Sequence, residues 1–201
     1  FLPRPTGRLG MDEARAYSTA VERGIAVHAL LAHIRLELTH SPEAVASENR
    51  RLVEAGYLRP PGLGPEDIVR VAGFFASPAG LAVRECRGRV LRELPFTMKL
   101  PAVAFAEACK SSGDFVIAQG VIDMLLDEPD GLVILDFKTD DIPEERAKER
   151  ALGYTPQVSL YALAAESILG KPVKKASIFF LEPQREEEVD WQSYVRSRGL
   201  A

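Results

Sequence analysis

The chain has 201 residues, of which 46% are hydrophobic and 27% charged, and its formal net charge is −4. Such a composition is typical of a globular protein that is large enough to bury a core of its own. The negative charge argues against a free-standing, non-specific nucleic-acid binder, which would normally be basic. It is compatible with an enzyme that contacts DNA through one local patch, or whose DNA is delivered by another polypeptide.

The lack of a recognisable targeting signal, together with the cysteine usage, predicts a cytoplasmic protein. No apolar run approaches the roughly 18–20 residues of a membrane span, and no signal segment opens the chain, so we expect no membrane partner. The two cysteines, Cys86 and Cys109, fit no zinc or disulfide spacing and are expected to be reduced thiols. Residues 1–10 lack an initiator Met and are interpreted as a linker from a longer parent chain.

Apolar residues recur at intervals of three and four in the first part of the chain, which predicts helices. Four helices are predicted, over 11–38, 42–56, 65–75 and 78–86, and they form a helical region, residues 11–89. Gly24 weakens the first helix and is an alternative start for it. The second helix has a clear N-terminal signal, a capping Ser41 followed by Pro42.

The composition changes near residue 90, where short runs of Val, Ile, Leu and Phe predict strands. Strands are predicted over 90–100, 115–126, 132–137 and 175–181, and helices over 143–152 and 154–169. Pro95 places the first strand at an edge or a bulge. The order predicts the α/β class, with a mixed central sheet flanked by helices under an N-terminal helical cap. The core covers residues 90–181, and the acidic segment 182–201 is expected to be a mobile tail.

The second and third strands form a predicted hairpin that ends in polar residues. Asp136 and Lys138 are two residues apart, so both side chains leave the same face of a strand while Phe137 points into a core. Acids and a lysine at the ends of apolar strands are costly to bury unless they bind something. A divalent cation would satisfy Asp136 together with Asp123 of the preceding strand.

The register of this hairpin decides whether the two acids share a face. Pairing Leu126 with Leu132 would set Asp123 opposite Leu135 and turn it away from Asp136. We therefore expect an odd shift of the register or a β-bulge, a feature that is common beside active sites.

Five segments of the chain carry polar residues in a recognisable order. They are His28 in Gly24-Ile-Ala-Val-His28, Glu93 in Arg-Glu-Leu-Pro-Phe, Asp123 in Gly-Val-Ile-Asp, Asp136 and Lys138 in Asp-Phe-Lys-Thr, and Gln157 with Tyr161 in Gln-Val-Ser-Leu-Tyr. Together they resemble the RecB-type nuclease domain of the PD-(D/E)XK superfamily. The resemblance is greatest to the C-terminal nuclease domain of AddA-type, UvrD/Rep-like helicase–nuclease subunits, and runs from about His28 to Phe180.

This resemblance implies a restriction-endonuclease-like PD-(D/E)XK core and a Mg²⁺-dependent deoxyribonuclease, an exonuclease or endonuclease of double-strand-break processing and recombination repair. The implied metal ligands are His28, Asp123, Asp136 and a main-chain carbonyl near Phe137. The implied catalytic residues are Asp123, Asp136, Lys138, Gln157 and Tyr161. Many relatives have Tyr where this chain has Phe137, which keeps the ring and loses a hydroxyl. Some relatives bind an iron–sulfur cluster through four cysteines; this chain has two, so no cluster is expected.

The chemistry of phosphodiester cleavage is consistent with these roles. Mg²⁺ prefers oxygen ligands, neutralises phosphate charge and lowers the pKa of bound water, and an imidazole ligand would let Mn²⁺ substitute. Lys138 would position the attacking water or stabilise the transition state. The chain contains no Gly-x-x-x-x-Gly-Lys-Ser/Thr phosphate loop. We therefore expect a helicase motor N-terminal in the parent chain to deliver single-stranded DNA, and the partner to be a second, AddB-like subunit.

Each of these residues also has an ordinary structural explanation. His28 would be a plain helix histidine, Asp123 an ion-pair partner of Lys138, Gln157 a helix-capping residue, Tyr161 a core residue, and Glu93 a strand-edge acid rather than a group that holds a metal-bound water. Asp140 and Asp141 are expected to begin a loop rather than bind metal. Two alternative functions stay open, namely a catalytically silent DNA-binding domain and a module that docks a partner through the N-terminal helices.

Overall fold

The structure, a computed structural model, describes residues 11–102 and 114–200. Five strands form one mixed sheet in the order β1-β2-β3-β4-β5, with β1 Arg89–Pro101, β2 Phe115–Glu128, β3 Gly131–Lys138, β4 Val173–Phe180 and β5 Arg185–Glu188. Neighbouring strands are antiparallel except β3 and β4, which are parallel. A parallel pair needs a long crossover connection, and here that connection is helical.

Helices cover both faces of the sheet. They are α1 Met11–His33, α2 Pro42–Glu54, α3 Pro65–Ala76 and α4 Pro78–Glu85 before the sheet, α5 Ala147–Leu152 and α6 Thr155–Leu169 between β3 and β4, and α7 Trp191–Ser197 after β5, with 3₁₀ turns at Leu36–Leu38 and Glu144–Arg146. One buried apolar cluster joins α1–α4 to one face of the sheet, and a second joins α5–α7 to the other face. The predicted class, a mixed sheet flanked by helices with a helical N-terminal region, is confirmed.

Local signals in the sequence account for the helix starts. The Oγ of Ser41 accepts a hydrogen bond from the amide of Ala44 at 3.2 Å, and Pro42 occupies the first turn of α2, as predicted. Gly24 does not start a helix but lies inside α1, where an added Cβ would come within 3.4 Å of Thr139 Oγ1. That distance is ordinary van der Waals contact, so an alanine would fit at this position and the contact does not explain the glycine.

One buried acid holds the end of α1 against α2. The side chain of Glu48 is 1% exposed and accepts hydrogen bonds from Arg35 at 2.5 Å and from Arg51 at 2.7 Å. Arg51 also donates to the main-chain carbonyl of His33, the last residue of α1, at 3.1 Å. Burial alone would raise the pKa of Glu48, but the two arginines outweigh it and lower the pKa to about 2. The carboxylate is therefore charged at neutral pH and fixes the C-terminal end of α1.

Phe137 sets the orientation of β3. Its ring is 1% exposed and packs edge-on against Phe74 of α3, which packs edge-on against Phe179 as well, with centroid distances of 4.8 and 4.9 Å. Successive side chains of a strand point to opposite faces. The burial of Phe137 against α3 therefore directs Asp136 and Lys138 together to the opposite face, as predicted, and that face carries α6.

The hairpin of β2 and β3 is shifted by one residue from the pairing assumed in the sequence. Leu126 pairs with Val133 instead of Leu132, and two residues close the turn between Glu128 and Gly131. The assumed pairing was wrong because the turn is one residue tighter. The expectation of an odd shift is confirmed.

The C-terminal segment differs from the predicted mobile tail. Within residues 182–201, β5 pairs with β4, so β4 is not the last strand, and Trp191 and Val195 of α7 are buried in the cluster that contains α6. Glu186 of β5 accepts a hydrogen bond from Ser177 at 2.7 Å and pairs with Lys175 at 2.6 Å. Acids that pair across strands are indistinguishable from solvated acids in a count of charges, which is why the prediction failed.

Some expectations lie outside the described residues. The linker over 1–10 and Cys109 are among them, and the division of the chain into domains stays a prediction. Cys86 is a free, partly exposed thiol. Within 11–102 and 114–200, no helix combines the length and the apolarity that a membrane span requires.

Candidate active site

Three carboxylates lie in a row across neighbouring strands. The β1–β2 pairs on either side of Glu93 place it opposite Asp123, and the register of β2 and β3 continues to place Asp123 opposite Asp136. Like charges in adjacent strands repel one another. The row therefore requires compensating positive charge or bound protons.

The regular alternation of side chains between the two faces of the sheet is interrupted next to this row. Residues two apart in a strand normally share a face, but in β2 Ile122 belongs to the cluster with α6 and Met124 to the cluster with α1–α4. In β1, Glu93 has a φ of 51°, in the left-handed region that is costly for a residue with a Cβ. Backbone strain of this kind gathers at functional sites, and here it accompanies the placement of the Glu93 carboxylate beside Asp123.

Helix α1 adds His28 to the row. Its Nδ1 lies 3.3 Å from Oδ1 of Asp123, while Oδ2 of Asp123 accepts a hydrogen bond from the main-chain N–H of Phe137 at 2.8 Å. One potential ligand atom from each of His28, Glu93 and Asp123 lies within 4.8 Å of the others, close enough to share a metal ion. His28 is thus part of a polar cluster, and Asp123 pairs with it rather than with Lys138.

Asp136 is the most deeply buried acid of the row, with a side chain 1% exposed. The ammonium of Lys138 lies 2.7 Å from its Oδ2, so the charges are paired, but the angles are poor. Among the residues that the structure describes, neither oxygen of Asp136 receives a well-directed hydrogen bond. Burial raises the pKa of Asp136, the charge of Asp123 raises it further and Lys138 partly offsets both, for a value of about 6. A buried carboxylate with free lone pairs suits a metal ion.

Burial and neighbouring charges also raise the pKa values of His28 and Glu93. Burial alone would lower the pKa of His28, but its contact with Asp123 and the charges of Asp136 and Glu93 raise it. Burial and the charge of Asp123 raise the pKa of Glu93, and His28 partly offsets the rise. The site therefore holds protons more tightly than the isolated side chains would. A metal ion takes the place of such protons when it binds, and the donor set of imidazole and carboxylates fits one.

Helix α6 holds Lys138 from the other side. Gln157 Oε1 accepts a hydrogen bond from Lys138 Nζ at 3.2 Å, and Gln157 Nε2 donates one to the hydroxyl of Tyr161 at 2.6 Å. Gln157 is therefore more than a capping residue. Tyr161 is 7% exposed and packs edge-on against Phe96 with the centroids 5.7 Å apart, so it belongs to the core and to the polar chain at once. Burial raises the pKa of Tyr161 to about 12, which keeps its hydroxyl protonated.

Sequence reasoning missed Tyr154, which immediately precedes α6. Its ring centroid lies 4.5 Å from Lys138 Nζ, and its hydroxyl donates to Asp140 at 3.0 Å. Asp140, predicted to begin a loop, pairs with Arg150 of α5 at 2.6 Å. The available signal was the position of Tyr154 three residues before Gln157, since residues three apart lie on one face of a helix.

The structure brings the predicted side chains together around the row of acids, next to the carboxyl end of β3. They are His28, Asp123, Asp136, Lys138, Gln157 and Tyr161, joined by Glu93. For Phe137, the main-chain contact that the structure gives is the N–H bound to Asp123, and the ligand role of its carbonyl stays a prediction. The roles of all these residues in metal binding and catalysis are likewise predictions.

A mixed sheet between helical layers, crossed by a row of acids with a lysine at the carboxyl end of β3, defines an α/β protein with a partly buried polar site. The sequence then identifies the family. Residues 6–198 match the family described as "PD-(D/E)XK nuclease superfamily", and the chain belongs to that superfamily.

Curated relatives share much of this sequence, and they are AddA proteins, each named as one component of an "ATP-dependent helicase/nuclease". The chain is 40% identical over 184 residues to the AddA protein of Pelotomaculum thermopropionicum, and the match covers 90% of this chain and 14% of the relative. Proteins of the same name match from Heliobacterium modesticaldum, at 40% over 84% of this chain and 12% of the relative, and from Moorella thermoacetica, at 37% over 82% and 12%. The chain thus spans only 12–14% of the length of these relatives.

A solved structure entitled "Crystal structure of SSO0001" also aligns with this chain. The TM-score is 0.38 at 14% identity, over 91% of this chain and 84% of that one, which is too low a score to bear on the fold.

Proposed function

We propose that this chain is the metal-dependent nuclease domain of a helicase–nuclease and hydrolyses phosphodiester bonds in DNA. The observation that carries the proposal is Asp136, a buried carboxylate whose charge is paired with Lys138 but whose oxygens receive no well-directed hydrogen bond among the described residues. It lies beside Asp123 in a row of acids and is paired with Lys138. In a core with no further role, apolar residues of similar volume would be as stable or more stable. A bound cation would offset the cost of burying these carboxylates.

The proposed roles follow from the positions of the side chains. His28, Asp123 and Asp136 would hold the ion, with Glu93 and the Phe137 carbonyl as further ligands. A bound Mg²⁺ supplies Lewis acidity and lowers the pKa of a bound water. Lys138 would position the attacking water or stabilise developing negative charge. Gln157 would hold Lys138, and Tyr161 would hold Gln157.

The oxygen-rich donor set favours Mg²⁺, and the imidazole of His28 lets Mn²⁺ substitute. No iron–sulfur cluster is proposed, since the sequence has two cysteines. The nuclease core would cover residues 90–181 together with β5 and α7, which complete the sheet and the α6 cluster. Residues 11–89 would contribute His28.

The biological setting is proposed from the relatives, which are named as parts of a helicase/nuclease. This chain would be the nuclease module of a longer cytoplasmic bacterial protein that acts in double-strand-break processing and recombination repair. A helicase motor N-terminal in that protein would feed single-stranded DNA to the site, and an AddB-like subunit would be its partner.

The test is cleavage of labelled single-stranded DNA by this protein with Mg²⁺, with Mn²⁺ and with EDTA. We expect metal-dependent cutting that Asp136→Ala and Lys138→Ala abolish. Asp141→Ala and Lys148→Ala are matched controls, because both side chains are exposed, and they should cut like the wild type. The pattern of products also distinguishes exonuclease from endonuclease activity.

Two results without cutting have different meanings. Calorimetric binding of Mn²⁺ that Asp136→Ala removes would support an intact metal site that needs its motor to deliver DNA. Absence of both cutting and Mn²⁺ binding would contradict the proposal.

The alternative functions gain less support. A silent DNA-binding domain would bind DNA equally well with Asp136→Ala and cut with neither protein. Partner docking through α1 would use Val21 and Ile25, which are 45% and 65% exposed and one turn apart. Two aliphatic side chains in the described part of α1 fall short of the apolar patches of several hundred Å² that mark docking sites.

A further inference from the structure

The ammonium of Lys138 is surrounded on three sides. Asp136 Oδ2 lies 2.7 Å away, Gln157 Oε1 lies 3.2 Å away, and the centroid of the Tyr154 ring lies 4.5 Å away. The lysine side chain is only 15% exposed. An acid and an amide thus take two sides of the ammonium, and the π face of an aromatic ring takes a third.

The ring that faces Lys138 is itself anchored. The hydroxyl of Tyr154 donates to the carboxylate of Asp140, with oxygens 3.1 and 3.0 Å away, and accepts a hydrogen bond from Arg150 Nη2 at 2.8 Å. Arg150 Nε in turn donates to Asp140 at 2.7 Å. Burial and the charge of Asp140 raise the pKa of Tyr154 to about 12, so the hydroxyl keeps the proton that it donates.

This arrangement ties three elements to one lysine. Asp140 follows β3 two residues after Lys138, Arg150 belongs to α5, and Tyr154 precedes α6. A lysine side chain has a long, flexible stem and loses much rotamer entropy when it is held in one place. A ring fixed by its own hydrogen bonds supplies a rigid wall, and a partly desolvated cation–π contact adds attraction.

We infer that Tyr154 is a positioning residue, which holds the Lys138 ammonium at the carboxylate row while Asp140 and Arg150 hold the ring. The inference rests on the proposed function, in which Lys138 takes part in the cleavage step. The ordinary alternative is that Tyr154 only packs at the start of α6, where its ring lies 6.4 Å from that of Phe180. Packing alone would be satisfied by an aliphatic side chain, whereas the positioning role requires the ring face.

The experiment compares three variants with the wild type in cleavage of single-stranded DNA with Mn²⁺. Tyr154→Leu removes the ring and should lower kcat by about tenfold, whereas Tyr154→Phe and Asp140→Asn keep the ring, weaken its anchor and should lower kcat by about threefold. KM and the calorimetric Kd for Mn²⁺ should stay unchanged, because Tyr154 contacts the lysine and not the row of acids. Tyr194→Leu is the matched control, since that ring carries a different cation, Arg198, at 5.4 Å.

A spectroscopic signature gives a readout that is independent of activity. The ε-methylene protons of Lys138 adjoin an ammonium that lies over the Tyr154 ring, 4.5 Å from its centroid, and should be shifted upfield in NMR spectra of the wild type and of Tyr154→Phe. The shift should disappear in Tyr154→Leu, and Lys138→Arg assigns the resonance.

The outcomes separate this inference from the proposed function. An active wild type together with an equally active Tyr154→Leu overturns the inference and leaves the nuclease proposal intact. The same holds if Tyr154→Leu loses kcat only in proportion to a loss of Mn²⁺ binding, since that is damage to the whole site. A wild type that neither cuts DNA nor binds Mn²⁺ overturns the nuclease proposal itself. If Tyr154→Leu fails to fold, Tyr154→Phe and Asp140→Asn decide, and a wild-type kcat in both overturns the inference.

Discussion

Replacing Glu93 by glycine and by alanine is expected to give variants that differ in stability and share the same loss of metal binding. The residue has a φ of 51° in β1, and a left-handed conformation costs a residue with a Cβ about 1–2 kcal/mol. Glycine removes that cost but loses about 0.5–1 kcal/mol more backbone entropy than alanine on folding. Glu93→Gly should therefore be more stable than Glu93→Ala by about 1 kcal/mol, or roughly 2–4 °C in Tm for a chain of this size.

Measuring metal binding distinguishes the role of the Glu93 carboxylate from that of the backbone at residue 93. Both variants remove the Glu93 oxygens that lie near His28 and Asp123, so both should weaken calorimetric binding of Mn²⁺, by about tenfold or 1.4 kcal/mol. Stability is measured by urea and thermal unfolding in EDTA, which keeps the ion out of the comparison.

Two results would refute the reasoning, each at a different step. If Glu93→Ala equals or exceeds Glu93→Gly in stability, the backbone at residue 93 is not left-handed. If both variants bind Mn²⁺ as tightly as the wild type, Glu93 is not part of the cation cluster.

Three further predictions concern other parts of the molecule. Asp136→Asn removes a buried charge whose pKa is raised to about 6, so in EDTA it should stabilise the protein by about 1–3 kcal/mol above pH 6 and by nothing below pH 4, while abolishing Mn²⁺ binding in calorimetry. Gly120→Ala places a Cβ 2.7 Å from the Phe96 ring and should cost about 1–3 kcal/mol in urea unfolding, whereas Gly64→Ala, with nothing within 4 Å, should cost a few tenths. Glu48 has a pKa lowered to about 2. Because its arginine partners are partly exposed, about 1–3 kcal/mol of stability should be present above pH 4.5 and lost as the pH falls to 2. Glu48→Gln should flatten that part of the pH profile in urea unfolding.

Short-range rules in the sequence predicted much of the fold and part of the site. Ser41 and Pro42 start α2 because capping needs only neighbouring residues. The period of two in a strand correctly assigned Asp136 and Lys138 to one face and Phe137 to the other. The spacing of four in a helix likewise set Gln157 and Tyr161 side by side.

The resemblance predicted the superfamily, whereas the pairing of the hairpin had to be argued separately. The superfamily followed from five short segments in order, and the match over residues 6–198 confirms it. The simplest pairing of the hairpin, Leu126 with Leu132, would have turned Asp123 away from Asp136, and the odd shift that we expected instead is observed. The exact pairing could not be derived from the apolar pattern, because both strands are apolar on both faces near the turn.

What the sequence by itself determined was the class of fold, the order of the elements from α1 to β4 and the set of polar side chains expected at a common site. The tertiary structure alone decided that Glu93 takes a left-handed backbone beside Asp123, that Tyr154 faces Lys138, and that the acidic C-terminal segment closes the sheet. Each of these depends on contacts between segments that are distant along the chain. Local periodicity carries no information about such contacts, because they are settled only when the helices pack against the sheet.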